Sequence, residues 1–142
     1  MRHIMVATDG SEGADRAVDA AAALARAVGG RLSILTVGGN LSSEELQELA
    51  RAEGDVGAAL ESLSSSILRR AKERAQRIGD FPCKLDVAWG DAAEAIIQAI
   101  RREQVDAIVI GRRGRGRLAG MLLGSVSQKV ASLAPSIVIV VP

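Results

Sequence analysis

The stretch from Gly111 to Ser125, GRRGRGRLAGMLLGS, contains five glycines and four arginines but no acidic residue. It directly follows the apolar run DAIVI, which is typical of a buried strand. Glycines allow backbone N–H groups to approach an anion closely, and a helix that begins at Ser125 would add unpaired N–H groups and a partial positive charge. The composition indicates an anion-binding loop, with a nucleic-acid patch and a surface loop without a special task as the alternatives.

The common nucleotide motifs do not fit this stretch. A P-loop requires a lysine directly before the serine, whereas Lys129 comes four residues after Ser125. A dinucleotide fingerprint requires G-x-G-x-x-G after the first strand, whereas Gly114, Gly116 and Gly120 give G-x-G-x-x-x-G after the fourth. Both motifs are excluded, so any phosphate chemistry in this loop follows another pattern.

The composition limits the classes of function. The 142 residues predict a single domain over 1–142, and the net charge of +1 gives no general attraction to nucleic acid or to an anionic membrane. Phe81 and Trp89 are the only aromatic residues, which argues against stacking on single-stranded nucleic acid. Cys83 is the only cysteine, no apolar run reaches membrane-spanning length, and the start does not resemble a signal peptide. We therefore expect a cytoplasmic protein with no membrane partner.

Short β-type runs alternate with helical patterns along the chain. The predicted strands are His3–Thr8, Arg31–Val37, Lys84–Trp89, Asp106–Ile110 and Ser136–Val141. The predicted helices cover residues 14–28, 59–78, 92–104 and 125–134. The polar, acidic segment 38–56 is interpreted as a surface excursion with one short helix over 42–52. Strict alternation predicts an α/β fold, a parallel sheet with helices on both faces.

Several local signals set the ends and faces of these elements. Gly29 is a plausible helix stop, and Asp91 is a plausible N-cap for the helix that follows it. The alternating polar and apolar residues of the third strand favour a position at a sheet edge. The helix over 59–78 is expected to bury one stripe of apolar residues: Leu60, Leu63, Ile67, Ala71 and Ile78. In such folds ligands bind beyond the carboxyl ends of the strands, so the loops ATDGS, VGGN, WGD and GRRGRG are the places to inspect.

The sequence GRRGRGRLAGMLLGSVSQKV closely resembles the nucleotide-binding signature of the universal stress protein family, G-x2-G-x9-G-[ST]. Every fixed position of the signature is matched, by Gly111, Gly114, Gly124 and Ser125. The segments IMVATDGSEGADRAVDAAAALA and APSIVIVV also resemble the first strand and helix and the closing strand of that family. The resemblance covers essentially the whole chain.

The resemblance implies an open five-stranded parallel sheet in the order 3-2-1-4-5, a Rossmann-like arrangement, with ATP bound across the ends of strands one and four. The residues implied to line the adenosine side and the base are Ala7, Thr8, Asp9, Val37 and Ile110. Those implied to hold the ribose and phosphates are Gly111, Gly114, Gly124, Ser125 and Val126, and Arg113 lies within the same loop.

The implied function is that of an ATP-binding stress-response regulator with slow or no hydrolysis. Asp9 is a candidate ligand for Mg²⁺, since hydrolysis usually needs a metal and a positioned water. The alternatives are a metal-dependent phosphohydrolase, a nucleotide-free dimer that docks on other proteins, and a nucleic-acid binder that uses the arginine cluster. Near-neutral net charge makes the last one the weakest.

Simpler interpretations of the individual residues stay open. Asp9 also suits a turn, Ser125 also suits a helix N-cap, and the loop arginines also suit a solvated cluster. His3 and Cys83 have no evident partner and are expected to be structural. Trp89 is expected to pack against its neighbours, with a ligand contact as the alternative.

The closing strand, Ser136 to Val141, predicts how the protein assembles. It is apolar and free of charge, and the implied strand order puts it at a sheet edge. Proteins usually protect such an edge with charge, a bulge or a covering segment, and none of these precedes Pro142. We therefore expect a homodimer in which this strand pairs with its copy. The resemblance implies the same dimer.

Overall fold

A computed structural model describes residues 1–38, 44, 47–48, 51–52, 54–112 and 124–142. Within these residues the elements follow in this order: β1 (His3–Ala7), α1 (Glu12–Val28), β2 (Arg31–Gly38), α2 (Val56–Gln76), β3 (Cys83–Trp89), α3 (Ala92–Glu103), β4 (Ala107–Gly111), α4 (Ser125–Leu133) and β5 (Ile137–Val141). Each predicted strand is present, with ends that differ by at most one residue. The short helix predicted over 42–52 falls largely outside the described residues.

All neighbouring strands pair in parallel, in the order β3-β2-β1-β4-β5. The central strand β1 places Val6 beside both Ile34 and Val109. The predicted sheet order and the predicted edge position of the third strand are confirmed. The strand order reverses between β1 and β4, because the chain continues from β1 to β2 on one side and from β4 to β5 on the other. The loops after β1 and β4 therefore leave toward opposite faces, the usual position of a ligand crevice.

Helices cover both faces of the sheet, as predicted. The core under α1 and α2 centres on Ile4, Val6, Ile34 and Val109, all fully buried. The core under α3 and α4 centres on Met5, Leu35 and Ile108 of the opposite strand faces, together with Ile100 of α3 and Val130 of α4. The two cores use alternate residues of the same strands, since successive side chains in a strand point to opposite faces.

Local chemistry sets where the helices begin and end. Ser11 accepts the N–H of Ala14 at 3.2 Å and caps α1, and Gly29 ends it in the left-handed conformation with φ +63°. Asp91 accepts the N–H of Glu94 at 3.0 Å and caps α3. These contacts satisfy backbone groups that have no partner inside a helix. The stop at Gly29 and the cap at Asp91 are therefore confirmed.

The buried face of α2 differs from the predicted one. Leu60, Leu63 and Ile67 are only half-buried, and the buried residues of the helix are Ala59, Ser64, Leu68, Ala71 and Ala75. Leu60, Leu63 and Ile67 therefore flank the contact, which α2 makes through Leu68 and several small residues. A bidentate pair then ties α2 to α1, with Arg74 Nε and Nη2 at 2.7 and 2.8 Å from the two oxygens of Asp19.

In the edge strand β3, one backbone N–H group donates a hydrogen bond to a side chain of the same strand. The carboxylate of Asp86 accepts the N–H of the next residue, Val87, at 3.0 Å. Charged contacts flank the same strand, with Arg102 Nη2 3.5 Å from Asp86 and Lys84 Nζ 3.0 Å from Glu103. Charge along an edge strand discourages pairing with another chain. No helix in the described part of the chain is long and apolar enough to cross a membrane.

Candidate functional site

The candidate site lies where the loops after β1 and β4 leave the sheet. Val6 pairs with Val109, so the next residues, Ala7 and Ile110, lie side by side at the strand ends. Ala7 and Val37 are half-buried and pack against the core to which Ile110 belongs. Three of the residues predicted to surround adenosine are therefore brought together on one face of the sheet.

The loop that follows β1 is held by hydrogen bonds from β2. Thr36 Oγ1 donates to the carbonyl oxygen of Thr8 at 2.7 Å, and the N–H of Thr8 donates to the carbonyl oxygen of Leu35 at 2.9 Å. Thr8 Oγ1 in turn accepts the N–H of Gly10 at 3.2 Å. Gly10 has φ +82°, a conformation that side chains other than glycine rarely adopt. The chain direction at this loop is thus fixed before any ligand arrives.

Asp9 fulfils the turn role that its sequence context suggested. Its Oδ1 accepts the N–H of Ser11 at 2.9 Å, which positions the cap of α1. Arg70 of α2 reaches over the same loop, with Nη2 2.6 Å from the carbonyl oxygen of Gly10 and 3.2 Å from Asp15. A role of Asp9 toward a nucleotide or a metal stays a prediction.

Gly111, at the end of β4, lies against the first turn of α1. A Cβ at this position would be 3.1 Å from the carbonyl carbon and oxygen of Gly13. The carbonyl oxygen of Gly111 accepts a hydrogen bond from Ser127 Oγ at 2.6 Å. The close approach explains the glycine here, and the serine of α4 joins β4 to the helix that follows the loop.

The two ends of segment 113–123 are brought together. The N–H of Gly124 donates to the carbonyl oxygen of Arg112 at 2.8 Å, and the N–H of Arg112 donates to Val141 of β5 at 2.7 Å. Arg113 and Gly114, both predicted to take part in the site, lie outside the described residues. Gly111 and Gly124 are the first and third glycines of the signature. They lie close together because Gly124 is hydrogen-bonded to Arg112, the residue that follows Gly111.

Helix α4 begins with Gly124 as its N-cap and Ser125 as its first helical residue. The interpretation of Ser125 as the cap is therefore wrong by one position. Glycine offers no side chain to accept the first-turn N–H groups, and the first turn contains no acidic residue. Ser125 and Val126 are exposed there. An uncapped helix start of this kind presents N–H donors and a partial positive charge to an anion.

Trp89 is the last residue of β3, so it lies at the same carboxyl end of the strands as the candidate site. Its side chain is 51% exposed, and its ring packs so closely on Gly38 of β2 that no Cβ would fit there. The predicted packing role is confirmed. About half of the indole nevertheless faces solvent, and Gly38, on which it packs, directly follows Val37. Nothing in the sequence pattern pointed to the pairing of Trp89 with Gly38 or to the loop contacts of Thr36 and Arg70.

The described residues contain no group of three or more His, Cys, Asp or Glu side chains that could hold a metal ion. Asp9 is the carboxylate that follows β1, the strand that pairs with β4 at the proposed crevice. One carboxylate together with phosphate oxygens and water is a common donor set for Mg²⁺. A metal at this site would therefore depend on a bound nucleotide for the rest of its ligands.

Comparisons with known proteins agree with this geometry. The sequence profile of the Universal stress protein family matches residues 1–142. A universal stress protein of Bacillus subtilis, YxiE, is 33% identical over 97% of both chains. A universal stress protein of Thermus aquaticus is 34% identical over 97% of this chain and 96% of its own. A universal stress protein crystallised in complex with cAMP is 30% identical, covers 99% of this chain and 97% of its own, and superposes with a TM-score of 0.76.

Proposed function

The chain belongs to the universal stress protein family, and from that premise we propose that it binds an adenine nucleotide at the carboxyl ends of β1 and β4. Its role is that of a nucleotide-dependent regulatory module of a stress response. ATP is the ligand expected from the signature between Gly111 and Ser125, and the protein hydrolyses it slowly or not at all. A cytoplasmic location stays part of this proposal.

The observation that carries the proposal is the uncapped start of α4, which Ser127 joins to Gly111, the residue that also lies against the first turn of α1. Gly124 leaves the first-turn N–H groups without a side-chain acceptor, and no acidic residue of that turn competes for them. These donors suit phosphate oxygens because backbone N–H groups and the helix dipole both favour negative charge. The solved universal stress protein in complex with cAMP supports an adenine nucleotide as the class of ligand.

The residues divide into two groups by the part of the nucleotide they would contact. Ala7, Val37 and Ile110 provide an apolar surface for the base, with Thr8 and Asp9 as polar groups at its edge. Gly111 and the start of α4 lie on the phosphate side, and the signature assigns Gly114 to the same side, with Arg113 in the same loop. Trp89 and Gly38 flank Val37, so the indole is the nearest aromatic surface to the proposed base position.

Hydrolysis needs more than phosphate binding. It requires a positioned water and neutralisation of developing charge, and usually a metal. Asp9 is the group we expect to assist Mg²⁺, which would supply charge neutralisation at the phosphates when bound. Among the residues described in the loops after β1 and β4, no histidine, glutamate or glutamine stands ready to orient water. We therefore expect slow turnover at most.

The experiment is a direct test for nucleotide. Purified protein is denatured, and any released nucleotide is identified by mass spectrometry. Protein confirmed to be free of nucleotide is then titrated calorimetrically with ATP, AMP and cAMP, with GTP as the matched control. We expect an adenine-nucleotide Kd in the micromolar range, about −8 kcal/mol. Absence of heat and of competition up to about millimolar adenine nucleotide would refute the proposal.

The same preparations distinguish a regulator from a phosphohydrolase. Phosphate release is followed with and without Mg²⁺ in wild type and in Asp9→Asn. A metal-dependent rate well above about 1 s⁻¹ would favour the enzyme, since typical turnover numbers lie at about 1–10³ s⁻¹. We expect a rate far below that limit.

We also propose that the protein forms a homodimer through β5. Among the described residues this strand pairs only with β4, so its other edge has no strand partner within them. Ile137 and Leu133 are each 55% exposed and lie at the adjoining ends of β5 and α4. An apolar edge strand with exposed apolar neighbours suits pairing with a second copy about a two-fold axis.

A further inference from the structure

Arg70 of α2 connects that helix to the loop after β1. Its Nη2 lies 2.6 Å from the carbonyl oxygen of Gly10 and 3.2 Å from Oδ1 of Asp15. Gly10 belongs to the loop, and Asp15 belongs to the first turn of α1. One guanidinium nitrogen therefore contacts both sides of the turn at which the chain passes from the proposed nucleotide site into α1.

Gly10 allows α2 to reach the backbone of this loop. Its φ of +82° is a conformation that residues with a side chain rarely adopt. A Cβ on Gly10 would lie 3.3 Å from Cγ1 of Ile67 and 3.6 Å from Nη2 of Arg70. Both of these residues belong to α2. The helix thus packs directly on the loop, and Arg70 adds a hydrogen bond to that contact.

The turn that Arg70 contacts also sets the orientation of Asp9. Oδ1 of Asp9 accepts the N–H of Ser11 at 2.9 Å, so the direction of this carboxylate depends on the backbone of the turn. Gly10 lies between these two residues, and its N–H donates to Thr8 Oγ1 at 3.2 Å. A displacement of Gly10 would therefore disturb both Thr8 and Asp9, which are proposed to lie on the adenosine side of the nucleotide.

The ion pair with Asp15 does not by itself account for Arg70. The two side chains are 57% and 22% exposed, and exposed ion pairs contribute little to stability. A bidentate pair between Arg74 and Asp19, with distances of 2.7 and 2.8 Å, already ties α2 to α1. Among the described residues the ion-pair partners of Arg74 are Asp15 and Asp19. The hydrogen bond to Gly10 is what distinguishes Arg70 from Arg74, one turn further along the helix.

We propose that Arg70 is a positioning residue for the nucleotide site, which acts through the backbone of Gly10 to keep Thr8 and Asp9 in the conformation that binds adenosine. This inference rests on the proposed nucleotide binding. Without Arg70 the nucleotide has to order the loop itself, and that cost lowers its affinity. The expected loss is about tenfold, which corresponds to the lower limit for a hydrogen bond from a charged donor.

Arg70→Gln and Arg74→Gln are compared in the full chain by calorimetric titration with ATP and with AMP. Both variants remove one charge that faces α1, but only the first removes the contact with Gly10. Arg70→Gln is expected to raise the Kd about tenfold for both nucleotides, because it acts on the adenosine side. Arg74→Gln breaks the bidentate pair, so it is expected to lower the melting temperature at least as much while both Kd values stay within twofold of wild type.

Two results of these titrations would overturn the assignment. A loss of affinity for ATP but not for AMP would show that Arg70 contacts the outer phosphates instead of positioning the loop. Equal losses in Arg70→Gln and Arg74→Gln would show that the arginine acts only through the packing of α2 on α1.

A measurement without nucleotide separates this inference from the proposed function. Amide hydrogen exchange of the nucleotide-free protein is followed by NMR at Gly10 and Ser11, whose N–H groups form the hydrogen bonds within the turn. Arg70→Gln is expected to speed exchange at both amides about tenfold, since the loop opens more often, and Arg74→Gln is expected to leave both within twofold. Unchanged exchange in Arg70→Gln would overturn the role of Arg70, whereas absence of nucleotide binding in the wild type would overturn the proposed function.

Discussion

Gly111 and Gly13 bring two backbones together at the candidate site. A Cβ at residue 111 would lie 3.1 Å from the carbonyl group of Gly13, closer than ordinary contact. The end of β4 and the start of α1 can therefore approach only because residue 111 has no side chain. Phosphate binding alone would place a glycine here for access to a ligand. The structure gives an additional reason, which is that a glycine lets the end of β4 pack against the start of α1.

Gly111→Ala is expected to lower the free energy of unfolding by about 1–3 kcal/mol, the usual effect of overpacking. The neighbour is helix backbone, which yields less readily than a side chain. Gly57→Ala is the control, because its added Cβ would meet only Asp55 Oδ1 at 3.3 Å near the start of α2. Urea denaturation of the two variants measures the difference. Equal stability of both would contradict the packing argument.

The sheet was predictable because β1, β4 and β5 are short apolar runs, as expected of strands covered on both faces, and because β3 alternates polar and apolar residues as an edge strand does. The predicted strands from His3 onward match to within one residue. The faces of α2 were less predictable, since Ser64 is buried while Leu60 and Leu63 are only half-buried. Helical periodicity ranks residues by apolar character, whereas close packing of helices also depends on size.

Long-range contacts account for what the sequence left undetermined at the site. Thr36 holds Thr8 across 28 positions, and Arg70 reaches Gly10 across 60. No local pattern marks such partners. The cap of α4 was misplaced for a related reason. Serine is a common N-cap, but the hydrogen bond from Gly124 to Arg112 sets the start of the helix one residue earlier.

Thr36→Val should destabilise the protein by about 1–3 kcal/mol, because it leaves the carbonyl oxygen of Thr8 without its donor in a buried position. It should also weaken adenine-nucleotide binding through the loop that contains Asp9. Thr36→Ser keeps the hydroxyl and serves as the control. Thermal denaturation and calorimetric titration read the two effects. Unchanged stability in Thr36→Val would show that the 2.7 Å hydrogen bond contributes little.

Ser125→Asp separates anion binding from helix stability. A negative charge in the first turn of α4 favours the helix by about 0.3–1 kcal/mol through its dipole. The same charge repels phosphate, so nucleotide affinity should fall at least tenfold while the melting temperature holds or rises. Ser136→Asp places the same change just before β5, at the other end of the strands, and should leave affinity unchanged. Undiminished nucleotide affinity in Ser125→Asp would show that phosphate does not bind at the start of α4.

Stability should decrease as pH falls through the titration range of His3. Burial and Arg31 lower the pKa of His3 from 6.5, so the unfolded chain takes up the proton first and is favoured below about pH 6.5. Asp106 acts in the same direction lower down, because the backbone N–H groups of Arg2 and His3 lower its pKa from 3.8. Unfolding free energies between pH 5 and 8 should show a slope that His3→Gln reduces. A slope that is the same in the variant would contradict this assignment.

Ile137→Lys is expected to convert a dimer into a monomer. Ile137 is 55% exposed at the start of β5, so a lysine there does not enter the core of its own chain. Val138 and Val140 pack against one core and Ile139 and Val141 against the other, so charges at those positions would damage the fold as well. Burying a lysine against the apolar edge of a second copy is costly unless it finds a partner.

Light scattering of wild type and variant measures the mass directly. Val56→Lys is the matched control, because Val56 is also exposed but lies at the start of α2, away from β5. The control should retain the wild-type mass, and Ile137→Lys should show the mass of one chain with an unchanged circular dichroism spectrum. A wild-type protein that is monomeric at about 100 μM, well above a micromolar Kd, would remove the dimer from the proposal before any variant is made.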